Sequence, residues 1–453
     1  MSKELTSTPS SVSFTPVTRM ERIASIDILR GIALLWILFS NIDIFSGPET
    51  LFEIPQGLPD TTFMNANLHL NLVLLFFKWV TTEGKARFLF SILFGVGLCL
   101  MTERAERTGR TEKLADIYLR RNVWLCVLGL LHGILIWAGD ILLSYGLAGL
   151  LILYPCRKLR GRTLLIVGAL LTCACSPILP HFLGTAGEID LNRQVQAVIA
   201  ARQAGTTLTP DQVKIEEQWN TLQAAHTVVL PPLDGGPAPM PHEHYLTTVA
   251  GQFHGFFTEL LMARTFIIME VAGAMLFGMG LYKVGFLTAK CSSITYICCA
   301  FLGLLLSAPF YAIGMWRVYQ SHFNFIAVDR LDLLYEVLKL LSGVGMISIL
   351  MLFIKSNLLR PVKAALVAVG SMALTNYILT NLICQWLFLW SPWALYGRLT
   401  YIQHHLVMLC IWALNIMVSL LWLRFFQFGP LEWVWRSLTY WKLQPIYLQR
   451  KAA

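Results

Sequence analysis

The stretch "ILRGIALLWILFSNIDIF", Ile28 to Phe45, decides the fold class. Almost all of its side chains are apolar, and it is as long as the roughly 18–20 residues that a helix needs to cross a bilayer core. Residues 1–18 are polar, rich in Ser and Thr, and lack the apolar core of a cleavable signal peptide. We therefore predict an uncleaved membrane helix that follows a disordered cytoplasmic tail.

The composition agrees with a membrane fold. Of the 453 residues 56% are hydrophobic and 13% are charged, whereas soluble domains carry about 25% charged residues. We therefore predict an all-α, polytopic transmembrane helix bundle. The apolar runs indicate ten spans, at about 28–45, 86–102, 118–137, 139–156, 163–180, 264–282, 292–313, 331–354, 364–390 and 405–424.

The basic residues predict how this bundle is oriented. They cluster at 19–22, 104–121, 157–162, 283–290, 355–363 and 436–451. With ten spans all these clusters fall on one side, which the positive-inside rule makes cytoplasmic together with both termini. The membrane surface therefore accounts for the net charge of +9, and the predicted partner is the lipid bilayer rather than a nucleic acid.

The chain organisation follows from these runs. An N-terminal bundle, 19–182, is followed by an outer loop, 183–250, with two short amphipathic helices that we interpret as a cap. A second bundle, 251–430, leads to a cytoplasmic tail, 431–453. The apolar segment 67–80 is short for a span, so we place it as a re-entrant or interfacial helix, the alternative being an eleventh span.

Ionisable residues at membrane depth are costly and often functional. Asp27 and Arg30, three residues apart, share one helix face. They either offset the helix dipole and reach the headgroups, or bind the phosphates of a cytoplasmic donor. Asn41 ends the same helix on the outer side. Lys85 and Arg87 are interpreted either as headgroup contacts or as an anion-binding pair.

The motif "LHGILIWAGDILLSYG" contains His132 and Asp140. In one continuous helix these residues would lie roughly 12 Å apart along the axis, unless the chain turns at Gly139. Asp140 has an ordinary explanation as a helix cap, whereas His132 is either a packing residue or a functional one. Further along the chain, Glu336 and Lys339 are spaced to pair within a helix or to line a polar cavity.

Other polar residues at membrane depth add to these candidates, namely Asp332, Glu270, Asn376, Asn381 and Gln385. No metal site is expected, because "PHEHY" at 241–245 lacks the HExxH spacing of a zinc site.

Several motifs occur in a fixed order, including "SIDILRGIALLWILFSNI", "ARFLFSILFGVG", "LHGILIWAGDILLSYG", "GSMALTNYILTNLI" and "FGPLEWVWRSLTY". Together, over about residues 20 to 442, they resemble the DUF418 or YeiB family of bacterial inner-membrane proteins. The resemblance implies an inner-membrane location and a distant relation to membrane acyltransferases. The "D-x-x-RG" start of those enzymes matches Asp27, Arg30 and Gly31. Their catalytic histidine has no counterpart in 46–66, which leaves His132 or His69 for that role.

Three functions follow as hypotheses. In the first, the protein transfers an acyl group from a cytoplasmic donor, with acyl-CoA as that donor and no other cofactor, to a small-molecule or envelope acceptor. His132 acts as the base, Asp140 orients it, and Lys85 or Arg87 stabilises negative charge. In the second, the protein is a small-molecule transporter with His132 as a proton relay. In the third, it is a non-catalytic scaffold.

Overall fold

The computed structural model describes residues 23–47, 68–174, 178–226, 245–259, 263–332 and 335–448. Within these ranges the chain forms helices and no strand, apart from one isolated antiparallel bridge between Phe426 and Tyr447. The predicted all-α class is confirmed. The tail at 1–18 and the two histidines of "PHEHY" lie outside the described residues.

The helices in chain order are α1 Ala24–Ser46, α2 Leu68–Thr81, α3 Lys85–Arg107, α4 Leu114–Leu135, α5 Leu142–Cys156, α6 Gly161–Ala174, α7 Ile178–Gln203, α8 Pro210–His226, α9 Tyr245–Glu259, α10 Ala263–Lys283, α11 Ser293–Gln320, α12 Phe325–Asp332, α13 Tyr335–Lys355, α14 Arg360–Ser371, α15 Ala373–Trp390, α16 Tyr401–Trp422 and α17 Pro430–Tyr440. One π-helical turn lies within α5 and another within α15.

Among the described residues, six helical segments are long and apolar enough to cross a membrane. They are Ala24–Ser46, His69–Arg107, Thr265–Lys283, Ser293–Gln320, Tyr335–Lys355 and Tyr401–Trp422. The pair α14 and α15, bent by 83°, adds a seventh if it is one broken span. These helices indicate a membrane protein.

The count of ten spans is not confirmed, for three physical reasons. The helices α5 and α6 are apolar but short, and 15 residues rise only about 22 Å against a core of about 30 Å. The run 364–390 is interrupted at Met372. The first half of α4 carries Asp116, Arg120 and Arg121, which lower its hydropathy.

The predicted segment 67–80 forms α2, which joins α3 through a tight turn. Gly84 in this turn has φ +65°, and a Cβ there would lie 2.0 Å from the hydroxyl of Tyr335. At the end of α2, the Lys78 ammonium pairs with Asp43, and Ser40 donates to the carbonyl of Thr82 at 3.2 Å. The turn is therefore buried beside the C-terminal end of α1.

The predicted cap contains longer helices than we expected. The helix α7 begins at Ile178 and has 26 residues, so the segment predicted as a cap is helical before residue 183. It pairs with α8 through Arg202 and Glu216, whose side chains form two hydrogen bonds of 2.6 Å. Apolar side chains of α7 and α8 pack on the short helix α12, namely Val195 and Trp219 on Phe325 and Ile326.

Candidate functional site

A cavity of about 530 Å³ lies between α1, α3, α4, α5, α14, α15 and α17. Its apolar wall includes Ile26, Leu93, Phe94, Leu125 and Leu142. Arg30 and Ile37 both line it and are two helical turns apart on α1, so it extends about 10 Å along that helix. Its size and apolar lining are typical of a small-molecule site.

Five arginines from four separate helices line one end of this cavity, which we call the basic end. They are Arg30, Arg104, Arg107, Arg121 and Arg436. Two carboxylates, Asp27 and Glu432, are also present, and Asp27 pairs with Arg30 at 3.1 Å. The guanidinium of Arg121 lies over the ring of Trp435, 4.5 Å from its centroid. Arginines therefore outnumber carboxylates, which favours an anionic ligand.

Two tyrosines, Tyr145 and Tyr377, line the cavity away from these arginines. Next to it is a chamber of about 10 Å³, which is large enough for about one water molecule. Ile37 and Tyr377 line both spaces, so the two adjoin. The side chains of Asn41 and Asn381 give the chamber polar walls.

His132 and Asp140 are brought into direct contact. The helix ends at Leu135 and resumes at Leu142, so the chain reverses between them. His132 Nδ1 lies 2.9 Å from Asp140 Oδ1, in place of the 12 Å of a continuous helix. The Asp140 carboxylate also accepts from the backbone N–H groups of Leu142 and Leu143 at 3.2 and 2.8 Å, and so caps α5.

The other ring nitrogen of His132 is also occupied. Its Nε2 lies 2.9 Å from Asn381 Nδ2, and its ring lies 5.1 Å from that of Tyr377. Nδ1–H donates to Asp140, so Nε2 carries the lone pair and accepts from the Asn381 amide. His132 is buried and lines neither space, but Asn381 lies between it and the chamber.

The residues Arg87, Glu270, Glu336 and Lys339 form a separate charged cluster. Arg87 Nη2 lies 3.1 Å from both carboxylate oxygens of Glu270, and Lys339 Nζ donates to Glu270 at 2.7 Å. Lys339 also pairs with Glu336 at 2.5 Å, as the sequence spacing allowed. The two cations and two carboxylates offset one another. None of the four lines the cavity, so the structure does not bring Arg87 to the His132 site.

Lys85 and Asn376 also lie away from the cavity lining. Lys85 Nζ donates to the carbonyl of Trp79 at 2.6 Å and contacts the Tyr311 hydroxyl at 3.2 Å. Asn376 donates to Ser419 Oγ at 2.8 Å and thereby joins α15 to α16. Of Asp332 the structure describes the backbone only.

The chain is similar in sequence to known proteins. The family described as "Protein of unknown function (DUF418)" matches residues 281–442. The "Uncharacterized protein YxaH" of Bacillus subtilis (strain 168) is 29% identical over 449 residues, 97% of this chain and 99% of the relative. The "Uncharacterized protein YeiB" of Escherichia coli (strain K12) is 28% identical over 431 residues, 93% of this chain and 97% of the relative.

The family match and the two relatives support the DUF418 family for this chain. The expected family is therefore confirmed. The matched range includes α15 and α17, and thus the DUF418 part of the chain supplies Tyr377, Glu432, Trp435 and Arg436 to the cavity. No solved structure matches the chain.

Sequence reasoning missed most of the residues that line the basic end. The sequence pattern indicates only a basic loop that contains Arg104, Arg107 and Arg121, and a basic tail that contains Arg436. It does not predict that these residues line one cavity. The motif "GPLEWVWRSLTY" held the available signal, because its amphipathic helix α17 packs against α4. Trp435 Nε1 donates to the carbonyl of Arg121 at 2.9 Å in that contact.

Proposed function

We propose that the protein binds an anionic acyl donor, of the acyl-CoA class, in the arginine-lined cavity and transfers its acyl group. One observation carries this proposal: five arginines line one end of the cavity, and apolar side chains line the rest of its wall. Guanidinium groups bind phosphates through charge-assisted hydrogen bonds, while the apolar wall suits a hydrocarbon or acyl group.

The basic end faces the cytoplasm in this proposal, and the protein lies in the inner membrane. Its arginines come from the chain segments that the positive-inside rule assigns to the cytoplasmic side. The acceptor, a hydroxyl or amine of a small molecule or envelope component, enters from the opposite side. There α9 rests on the turn between His132 and Asp140, where Gln252 Nε2 donates to the carbonyl of Ile136 at 3.3 Å.

The chemistry proposed for His132 is that of a general base. The acceptor oxygen or nitrogen forms a bond to the acyl carbon, the carbon–sulfur bond of the thioester breaks, and the acceptor proton passes to His132 Nε2. His132 then returns that proton to the leaving thiolate. Asp140 keeps the required tautomer by accepting from Nδ1–H. Because Asn381 now donates to Nε2, its amide must move aside for the acceptor.

Calorimetry on the purified protein tests the binding step. Wild-type protein is expected to bind acyl-CoA, and Arg104→Ala combined with Arg107→Ala is expected to weaken binding by about tenfold or more, since each lost charge-assisted hydrogen bond contributes about 1.5–3 kcal/mol. Arg110→Ala is the matched control, because Arg110 lies near the same helix end but does not line the cavity. Absence of acyl-CoA binding by wild type would overturn the proposal.

A thiol-release assay tests the catalytic step. Wild-type protein with acyl-CoA and membrane extract is expected to release free CoA, and His132→Ala is expected to reduce the rate by about 10²–10⁴-fold, the usual contribution of a general base. The same variant should still bind acyl-CoA, because His132 does not line the cavity. An unchanged rate in His132→Ala would refute its role as base.

A further inference from the structure

A second polar site lies at the C-terminal end of α1, where α1 meets the first turn of α16. Asp43 Oδ1 lies 3.0 Å from His404 Nε2, and the rings of His404 and His405 are 4.4 Å apart between centroids. One ligand atom from each of Asp43, His404 and His405 lies within 4.8 Å of the other two. The three residues are 1%, 0% and 5% exposed, so water has little access to them.

The hydrogen bonding of His405 leaves its ring nitrogen Nε2 without a partner among the described residues. Its Nδ1–H donates to the backbone carbonyl of Tyr401 at 2.7 Å, which leaves the lone pair on Nε2. In the described part of the chain, His405 Nε2 is buried with no hydrogen-bond partner. A buried polar atom without a partner is costly, and it therefore points to a ligand that the protein atoms do not supply.

We propose that Asp43 Oδ1, His404 Nε2 and His405 Nε2 bind one divalent transition-metal ion of the zinc class. Two imidazoles and one carboxylate are a ligand set that such ions prefer. Ligand atoms around one tetrahedral zinc at about 2.0–2.2 Å lie about 3.3–3.5 Å apart. The 3.0 Å between Asp43 Oδ1 and His404 Nε2 would lengthen slightly, and separations of up to 4.8 Å would shorten. Three protein ligands leave a fourth position open to water or to an exogenous ligand.

The neighbouring charges are compatible with an added cation. Lys78 Nζ lies 2.5 Å from Asp43 Oδ2, the oxygen that the metal does not use, and 3.9 Å from Glu83. Asp43 and Glu83 thus both face Lys78, so carboxylate charge lies beside the ammonium next to the site. Lys78 also fixes the carboxylate so that Oδ1 faces the histidines, as hydrogen-bonding partners of metal ligands commonly do.

This site is independent of the proposed acyl transfer. None of Asp43, Lys78, His404 and His405 lines the arginine-lined cavity. The sequence showed no metal motif, because the ligands come from the first helix and from one near the end of the chain, with two adjacent histidines in place of a spaced pair.

Metal analysis of the purified full chain tests the site. After treatment with EDTA, reloading with Zn²⁺ and desalting, wild-type protein is expected to retain about one zinc ion per chain by mass spectrometry. His405→Gln is expected to retain less than about a tenth of that amount. The matched control is His69→Gln, because His69 is an exposed histidine on α2 and should leave zinc binding unchanged.

Cobalt substitution provides a readout that needs no variant. Wild-type protein loaded with Co²⁺ is expected to show the intense visible absorption of a four-coordinate site, which excess Zn²⁺ removes. Wild-type protein that retains no zinc and shows no such absorption would overturn the site, as would His405→Gln that retains as much zinc as wild type. Acyl-CoA binding by His405→Gln should be unchanged, which separates this test from that of the acyl transfer.

Discussion

Glu432 is a buried carboxylate that holds two helices together. Its Oε1 accepts from the backbone N–H groups of Leu374 and Thr375 at 2.7 and 3.2 Å, and Oε2 accepts from Thr375 Oγ1 at 2.5 Å. Burial raises the pKa of Glu432 above its ordinary value, and these hydrogen bonds oppose that shift. The carboxylate of α17 thus caps the first turn of α15 beside the cavity.

Glu432→Ala should therefore destabilise the protein. The two backbone donors and the Thr375 hydroxyl lose their acceptor, so we expect the free energy of unfolding to fall by about 1–3 kcal/mol. Thermal unfolding in detergent measures this as a lower midpoint. Glu112→Ala is the control, since Glu112 is exposed and its loss should change stability by less than about 0.5 kcal/mol. Equal midpoints for the two variants would contradict the capping role.

At the scale of helices, α1 and α14 approach so closely that glycine is required at their crossing. A Cβ on Gly31 would lie 2.2 Å from the carbonyl oxygen of Leu366, and one on Gly370 would lie 2.0 Å from that of Asp27. Both obstacles are backbone atoms, which cannot rotate away. Because α1 carries Asp27 and Arg30, this crossing also sets the shape of the basic end.

Gly31→Ala should push α1 and α14 apart and lower the free energy of unfolding by about 1–3 kcal/mol. Gly251→Ala is the matched control on α9, because no atom lies within 4 Å of its Cβ position. There the added methyl group should stabilise the helix by up to about 1 kcal/mol. Thermal unfolding of the two variants checks the opposite signs, and a stabilised Gly31→Ala would show that the crossing is looser than described.

The contact between the cap and α12 should depend on pH. Burial, with a hydrogen bond to the side chain of Asp329, raises the pKa of Glu188 to about 8. A carboxyl group whose folded pKa is raised stabilises the folded state fully below its ordinary pKa near 4.5, and this contribution is lost as the pH rises to about 8. The packing of α7 on α12 should therefore weaken over this range.

Hydrogen–deuterium exchange measures that weakening. After correction for intrinsic rates, peptides from α7 and α12 should lose protection between about pH 4 and pH 9, values chosen to lie on either side of this range. Glu188→Gln should show little such change, because it cannot ionise. Equal pH dependence in both proteins would assign the effect to other groups.

At the scale of the whole molecule, the basic segments contact one another through lysine side chains, although they are far apart in the sequence. Lys283 Nζ donates to the carbonyls of Arg157 and Leu159 at 2.6 and 2.7 Å, and Lys355 Nζ donates to the carbonyl of Cys291 at 2.8 Å. Contacts between these loops suit the expectation that they lie on one side of the membrane.

Cysteine labelling in intact cells checks that orientation. A membrane-impermeant maleimide should label Thr207→Cys, between α7 and α8, without permeabilisation, because we predict that the cap lies outside. Lys113→Cys, in the basic loop between α3 and α4, should react only after permeabilisation. Both positions are exposed, so access depends on the membrane alone. Labelling of Lys113→Cys in intact cells would reverse the predicted orientation.

The sequence by itself determined the helical membrane class, the family and the approximate place of most helices. The run predicted at 28–45 is the helix Ala24–Ser46, and the run at 405–424 is Tyr401–Trp422. Such predictions succeed because hydropathy is a local property. The free energy of transferring an apolar stretch into the bilayer depends on the residues of that stretch alone. The pairing of Glu336 with Lys339 was accessible for the same reason, since their spacing lies within one helix.

Only the tertiary structure decided where helices break and which distant side chains meet. The reversal between Leu135 and Leu142 brings His132 to Asp140, and the crossing of α1 with α16 brings Asp43 to His404. Hydropathy predicts neither contact. The apolar sequence continues through the point where the helix breaks near His132, and Asp43 and His404 are far apart in the chain. Helix crossings depend on side-chain packing across the whole bundle, so the sites they create cannot be assigned from any single segment.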